Sequence, residues 1–134
     1  MKKVILISIV IISALILESF VKSLPKLVVI VTGADWCNGC KGDRIRIKNE
    51  IYPMYNKGNV KFIEYDLSND STIKNSQKIM KSLGIVKIAK EISGTGHILF
   101  ANPGSKRSIK KITIKSTNEE IIKEIENELN KSNL

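Results

Sequence analysis

Residues 26–41 read KLVVIVTGADWCNGCK. Lys26 to Thr32 is β-branched and nearly continuous in apolar character, the pattern of a strand covered on both faces. Gly33, Ala34 and Asp35 then turn the chain. A helix is predicted to begin at the cysteines and run to about Ile51, because Pro53 disfavours a helical residue before it. Cys37 and Cys40 therefore stand where a buried strand gives way to a helix, three positions apart.

That spacing decides what the two sulfurs are good for. A bond between them closes a loop of four residues, for which loop entropy gives only about 1.9 kcal/mol, against about 3 for a 15-residue loop. Such a pair is a poor staple and a good switch, since it opens and closes without moving the rest of a fold. A thiol attacks a disulfide only as thiolate, and the free pKa is about 8.5. In the first turn of a helix, Cys37 faces unpaired amides and the positive end of the helix dipole, and both favour the charged sulfur. Lys41 and Arg44, one turn on, add positive charge. Cys40 lies one turn deeper and is suited to resolve a mixed disulfide on Cys37. Asn38 and Gly39 are small and uncharged, so they leave Cys37 accessible.

Downstream, Val60 to Asp66 reads as a second strand. Asp70 or Ser71 caps a second helix, with Ile73, Ser76, Met80 and Leu83 on one face and Gly84 at its end. Ile85 to Gly96 carries a short helical extension and then a loop. His97 to Ala101, the turn Asn102 to Ser105, and Ser108 to Lys115 form a hairpin. Ser116 with Glu119, or Thr117 with Glu120, offers a capping box for a last helix, whose stripe is Ile121, Ile122, Ile125 and Leu129. The order is β-α-β-α-β-β-α. The first two strands should be parallel and the last two antiparallel, giving an α/β fold with a central mixed sheet flanked by helices. The dithiol then falls at the sheet edge where sites of open α/β sheets gather.

Upstream, Met1-Lys2-Lys3 and the apolar run Val4 to Leu17 have the form of a secretory signal. As a helix the run rises only about 21 Å, short of the roughly 30 Å of a bilayer's hydrocarbon. We therefore expect residues 1–23 to be a signal peptide cut before Leu24, with a membrane anchor through residues 4–21 as the alternative, and residues 24–134 to form the domain. Export, periplasmic or otherwise extracytoplasmic, places the cysteines where disulfides persist. About 110 residues remain, enough for one core but not for a multidomain enzyme. The net charge of +9 invites a polyanion reading, but it comes from 19 Lys and 3 Arg spread along the chain. Phosphate-gripping proteins favour Arg and gather it on one face, so no nucleic-acid partner is expected.

The strand followed by Ala34-Asp35-Trp36-Cys37-Asn38-Gly39-Cys40-Lys41 opening a helix resembles the active-site segment of the thioredoxin family, and the element order extends the likeness over about Lys26 to Leu129. The resemblance implies a thioredoxin-like fold and an enzyme of dithiol–disulfide exchange, with Cys37 attacking and Cys40 resolving. Its partners would be cysteine-containing protein substrates and a redox partner, with no cofactor and no metal. Trp36, Asp35 and Thr95 are the supporting candidates. Three departures stand out. Val31 occupies the place of the family's buried carboxylate, leaving Asp35 or water to take the proton of Cys40. Thr95, between Gly94 and Gly96, falls where the family has a cis-proline facing the dithiol. Asn38-Gly39 replaces the common Gly-Pro pair.

Simpler readings stand beside these. Cys37 and Cys40 could be ligands of a non-catalytic metal-binding or protein-carrier module, although zinc wants four ligands and the chain adds only His97 to the two thiols. His97 also reads as a half-exposed strand residue, Asp35 as a solvated turn residue and Trp36 as a packing residue.

Overall fold

All seven residues of the first strand, β1 (Leu27–Gly33), are buried. A strand with no exposed face needs cover on both sides, and the remaining elements supply it. In the computed structural model, which describes residues 23–55 and 58–133, β1 is followed by helix α1 (Asn38–Arg46), strand β2 (Val60–Asp66) and helix α2 (Asp70–Ser82). Strands β3 (His97–Ala101) and β4 (Lys110–Thr113) and helix α3 (Asn118–Lys131) complete the domain. The expected leader lies, except for Ser23, outside the described residues. Among those described, no helix is long and apolar enough to cross a membrane.

The sheet order is β2-β1-β3-β4. β1 and β2 run parallel, with Leu27 opposite Val60 and Gly33 opposite Asp66. β3 is antiparallel to both of its neighbours. This is the mixed sheet expected from the sequence, and the fold is α/β and thioredoxin-like. On one face Val29, Val31, Ile98 and Phe100 pack with Ile47 and Ile51 beyond α1 and with Ile121 and Ile125 of α3. On the other, Val28, Ile30, Ile63 and Leu99 pack with Met80 of α2 and with Ile85 and Ile88.

Several local expectations need correction. The regular part of α1 stops at Arg46, and the chain then winds through a π turn (Ile47–Ile51) and a 3-10 turn (Tyr52–Tyr55) that contains Pro53. Tyr52 is helical despite preceding proline, with φ −52° and ψ −44°. Its N–H donates to the Ile47 carbonyl, five residues back, so the turn is wider than an α turn and gives the proline ring room. Stacking of Tyr52 on Phe62, centroids 4.1 Å apart, holds that geometry.

The cap of α2 is Asn69 rather than Asp70 or Ser71. Its side chain accepts from the Ser71 and Thr72 amides at 2.9 and 3.1 Å, and the Thr72 hydroxyl accepts from the Asn69 amide at 3.1 Å. Of the two boxes offered for α3, the one formed is Thr117 with Glu120. The extension after Gly84 is a 3-10 turn, Val86–Glu91. The last strand is shorter than Ser108 to Lys115, because at that end the Ser108 amide donates to the Glu91 carboxylate at 3.1 Å instead of joining the ladder. Arg46 ties the end of α1 to the segment before α3, donating to the Ile114 and Ser116 carbonyls at 3.1 and 3.0 Å.

Replacing Asn69 by Ala leaves two α2 amides without their acceptor and should lower stability by about 1 kcal/mol. Urea denaturation of the two proteins measures it, and an unchanged midpoint would mean that the cap contributes nothing.

Candidate active site: a disulfide at the head of the first helix

β1 delivers the chain to the edge of the sheet at Gly33, and its last residues are fastened there. The Gly33 carbonyl accepts from the Leu67 amide at 2.8 Å, and the Asp35 amide donates to Ser68 Oγ at 2.8 Å. Ala34 is buried, and its carbonyl accepts from the Cys37 amide at 3.1 Å, closing the turn that starts α1. Cys37 is the N-cap residue, with φ −86° and ψ 79°, and its side chain makes no capping hydrogen bond. The first turn of α1 contains no acidic residue. The sulfur thus stands at a helix end whose amides and dipole favour negative charge.

Cys37 and Cys40 form a disulfide, with Cα atoms 5.4 Å apart. Cys37 is half-buried, whereas Cys40 is 6% exposed. Of the two bonded cysteines, the one at the helix end is the more exposed. Burial of the second follows from the helix turn: Cys40 points inward over the lead-in to β3, while Asn38 and Gly39 stay exposed.

That lead-in touches both sulfurs. Thr95 Oγ1 donates to Cys37 Sγ at 3.3 Å. At Gly96, φ is +81°, and a Cβ there would lie 3.6 Å from Cys40 Sγ. The Gly96 amide donates to the Thr32 carbonyl at 3.2 Å, and its carbonyl accepts from the Ile114 amide at 2.9 Å, so the segment is pinned to strands on either side. Among the described residues there is no cis peptide bond. Gly96 contacts the site more directly than its place beside Thr95 suggested. The signal for it was the Gly-Thr-Gly triplet, but the need for a left-handed residue there appears only once both flanking hydrogen bonds are known.

The other candidates are placed less tightly. Trp36 is 63% exposed beside the disulfide, so it does not pack into the core. Asp35 is exposed and lines a cavity of about 230 Å³ with Lys41, Arg44, Ile45, Lys48 and Glu64. The positive charge expected from Arg44 is already engaged: Glu64 lies 3.7 Å from it and 3.2 Å from Lys48. Arg44 lies against Gly33, where a Cβ would collide with its Cδ, Nε and Cζ atoms. Glu64 is the ladder partner of Val31, so a carboxylate absent from β1 stands on the adjacent strand. Sequence reasoning missed it, because register across a sheet is not local information.

His97 does not join the disulfide. Alternation along β3 puts it on the side of Leu99 and Ala101, toward α2, and its backbone bonds with Thr32 Oγ1 at 3.0 and 3.2 Å. Among the described residues, no three His, Cys, Asp or Glu side chains gather to hold a metal ion.

No protein-family model and no curated protein matches the chain. Among solved structures it is similar to Trxlp from Edwardsiella tarda EIB202, at 12% identity and a TM-score of 0.44, over 75% of this chain and 82% of that one.

A Gly96→Ala substitution should destabilise the oxidised protein by about 1–2 kcal/mol, the cost of a left-handed conformation for a residue with a Cβ. The approach to Cys40 is an ordinary contact, so backbone strain decides the sign. Thermal unfolding checks it, and an unaltered midpoint would show that the segment relaxes freely.

Proposed function

We propose that this chain is a thiol–disulfide oxidoreductase that exchanges its Cys37–Cys40 disulfide or dithiol with cysteines of proteins outside the cytoplasm. The observation that carries the reading is the unequal exposure of the two bonded cysteines, with the more exposed one at a helix end that has no side-chain cap. In the oxidising direction a substrate thiolate attacks Cys37 Sγ. A new sulfur–sulfur bond forms, the Cys37–Cys40 bond breaks, and Cys40 leaves as a thiolate that takes up a proton. A second substrate thiolate then attacks the substrate sulfur of this mixed disulfide, and Cys37 leaves as thiolate. The substrate has lost two electrons and the protein has gained them. Run backwards, the same steps reduce a substrate disulfide, with Cys37 attacking and Cys40 resolving.

The supporting residues have roles that suit their places. Trp36 offers an exposed apolar surface for a substrate chain beside the reactive sulfur. Asp35 or water would exchange the proton of Cys40. Thr95 belongs to the segment over which a substrate would lie. The apolar run Val4 to Leu17 after two lysines supports export, with the leader either removed before Leu24 or kept as an anchor through residues 4–21. Either fate puts the pair in a compartment rich in disulfides.

A Cys40→Ala variant should accumulate mixed disulfides through Cys37, because the resolving sulfur is gone, and the double variant Cys37→Ser, Cys40→Ser should lose all insulin-reducing and thiol-oxidising activity. Non-reducing electrophoresis and a turbidity assay read the two outcomes. Full activity in the double variant would defeat the proposal. So would tight stoichiometric zinc binding by the reduced protein with no exchange activity, which belongs to a carrier. A separate measurement concerns the reduced protein, whose Cys37 should alkylate with a pH midpoint below the ordinary value of about 8.5.

A further inference from the structure

We infer that the Thr95 hydroxyl is a thiolate-stabilising group that biases the Cys37–Cys40 pair toward its dithiol form, and so toward giving its disulfide to substrates. The inference rests on the oxidoreductase reading above and adds a direction to it. Thr95 Oγ1 stands 3.3 Å from Cys37 Sγ. The sulfur of a disulfide is neutral and a weak acceptor, whereas a thiolate is a charged and strong one. The same O–H therefore gains strength when the bond to Cys40 opens and Cys37 becomes an anion. An interaction that favours one side of an equilibrium shifts it to that side, and stabilising the reduced form is how such a pair becomes an oxidant.

The hydroxyl is well placed to act this way. Threonine has a branched Cβ and few rotamers, and the next residue, Gly96, is pinned by hydrogen bonds to Thr32 and Ile114. The donor is thus held ready before the bond opens and needs no rearrangement. Other sources of stabilisation are fewer than the charge of the chain suggests. Arg44 shares Glu64 with Lys48, and Lys41 is exposed to solvent. The α1 amides act on any sulfur at this position. The hydroxyl is specific to residue 95, and a cyclic imino acid there would have no donor.

The test uses full-length protein purified in mild detergent, as wild type, Thr95→Val and Thr95→Ser. Val keeps the shape and removes the hydroxyl; Ser keeps the hydroxyl. Two quantities are read: the pH midpoint of Cys37 ionisation from thiolate absorbance, and the equilibrium constant with glutathione. We expect Val to raise the midpoint by about one pH unit and to shift the equilibrium about tenfold toward the disulfide, or about 30 mV for this two-electron couple. Ser should restore both. A folded Val variant with both wild-type values would overturn the inference, even if its KM for a protein substrate rose, because that pattern belongs to a docking residue. If Val fails to fold, Thr95→Ala gives the same deletion without the branched carbon and is judged by the same two readouts. Failure of the underlying reading looks different: the wild-type pair would not equilibrate with glutathione at all.

Discussion

β1 is the constraint on which the site depends. With both faces covered, it has no freedom to slide or rotate, since a shift of one residue would exchange the two halves of the core. Val29 and Val31 are committed to the layer of α3, and Val28 and Ile30 to that of α2. A strand so held delivers its last residue, Gly33, to a definite point at the sheet edge. The turn through Ala34 then has one geometry available, and Cys37 arrives at the start of α1 each time the chain folds. The proposed exchange chemistry would borrow its precision from the hydrophobic core.

The unequal burial of the two cysteines also follows from how α1 is placed on the sheet. Residues three apart share one face of an α-helix, which lets the two sulfurs bond, and they differ in burial because Cys37 is the N-cap at the helix end while Cys40 lies a turn further in. Cys40 rests over Gly96, whose left-handed backbone shapes the segment beneath it. The β3 lead-in is therefore a second fixed element, anchored through Thr32 and Ile114 and laid across the disulfide. The two sulfurs lie between a helix end and a loop tied by hydrogen bonds to Thr32 and Ile114.

The neighbourhood of the pair is electrostatically mixed, and magnitudes decide what matters. Arg44 and Glu64 are partly shielded, Lys48 is exposed, and the two cations lie close enough to Glu64 for it to offset part of their charge. Exposed Asp35 and Lys41 are screened by solvent. The Thr95 hydroxyl, in direct contact with the Cys37 sulfur, acts over the shortest distance. A net charge of +9 is thus a poor guide to what Cys37 experiences.

Sequence was informative wherever the signal was local or periodic. The apolar run of β1, the capping box at Thr117, the glycine ending α2 and the four-residue Cys37–Cys40 loop can all be read without a neighbour in space. So could the element order and the parallel pairing of β1 with β2, because a helical crossover leaves little choice. Local rules failed where a distant partner intervened. Pro53 sits in a helical turn because the preceding turn widens and Tyr52 stacks on Phe62, and Ser108 leaves its strand for Glu91. By itself the sequence determined the fold class and singled out the pair of sulfurs that the structure shows bonded. Tertiary structure decided what surrounds them: the hydroxyl of Thr95 on one, the bare backbone of Gly96 against the other, and Glu64 on the strand beside Val31. Those contacts join residues up to 58 positions apart, and their meeting depends on sheet register, which no local pattern encodes.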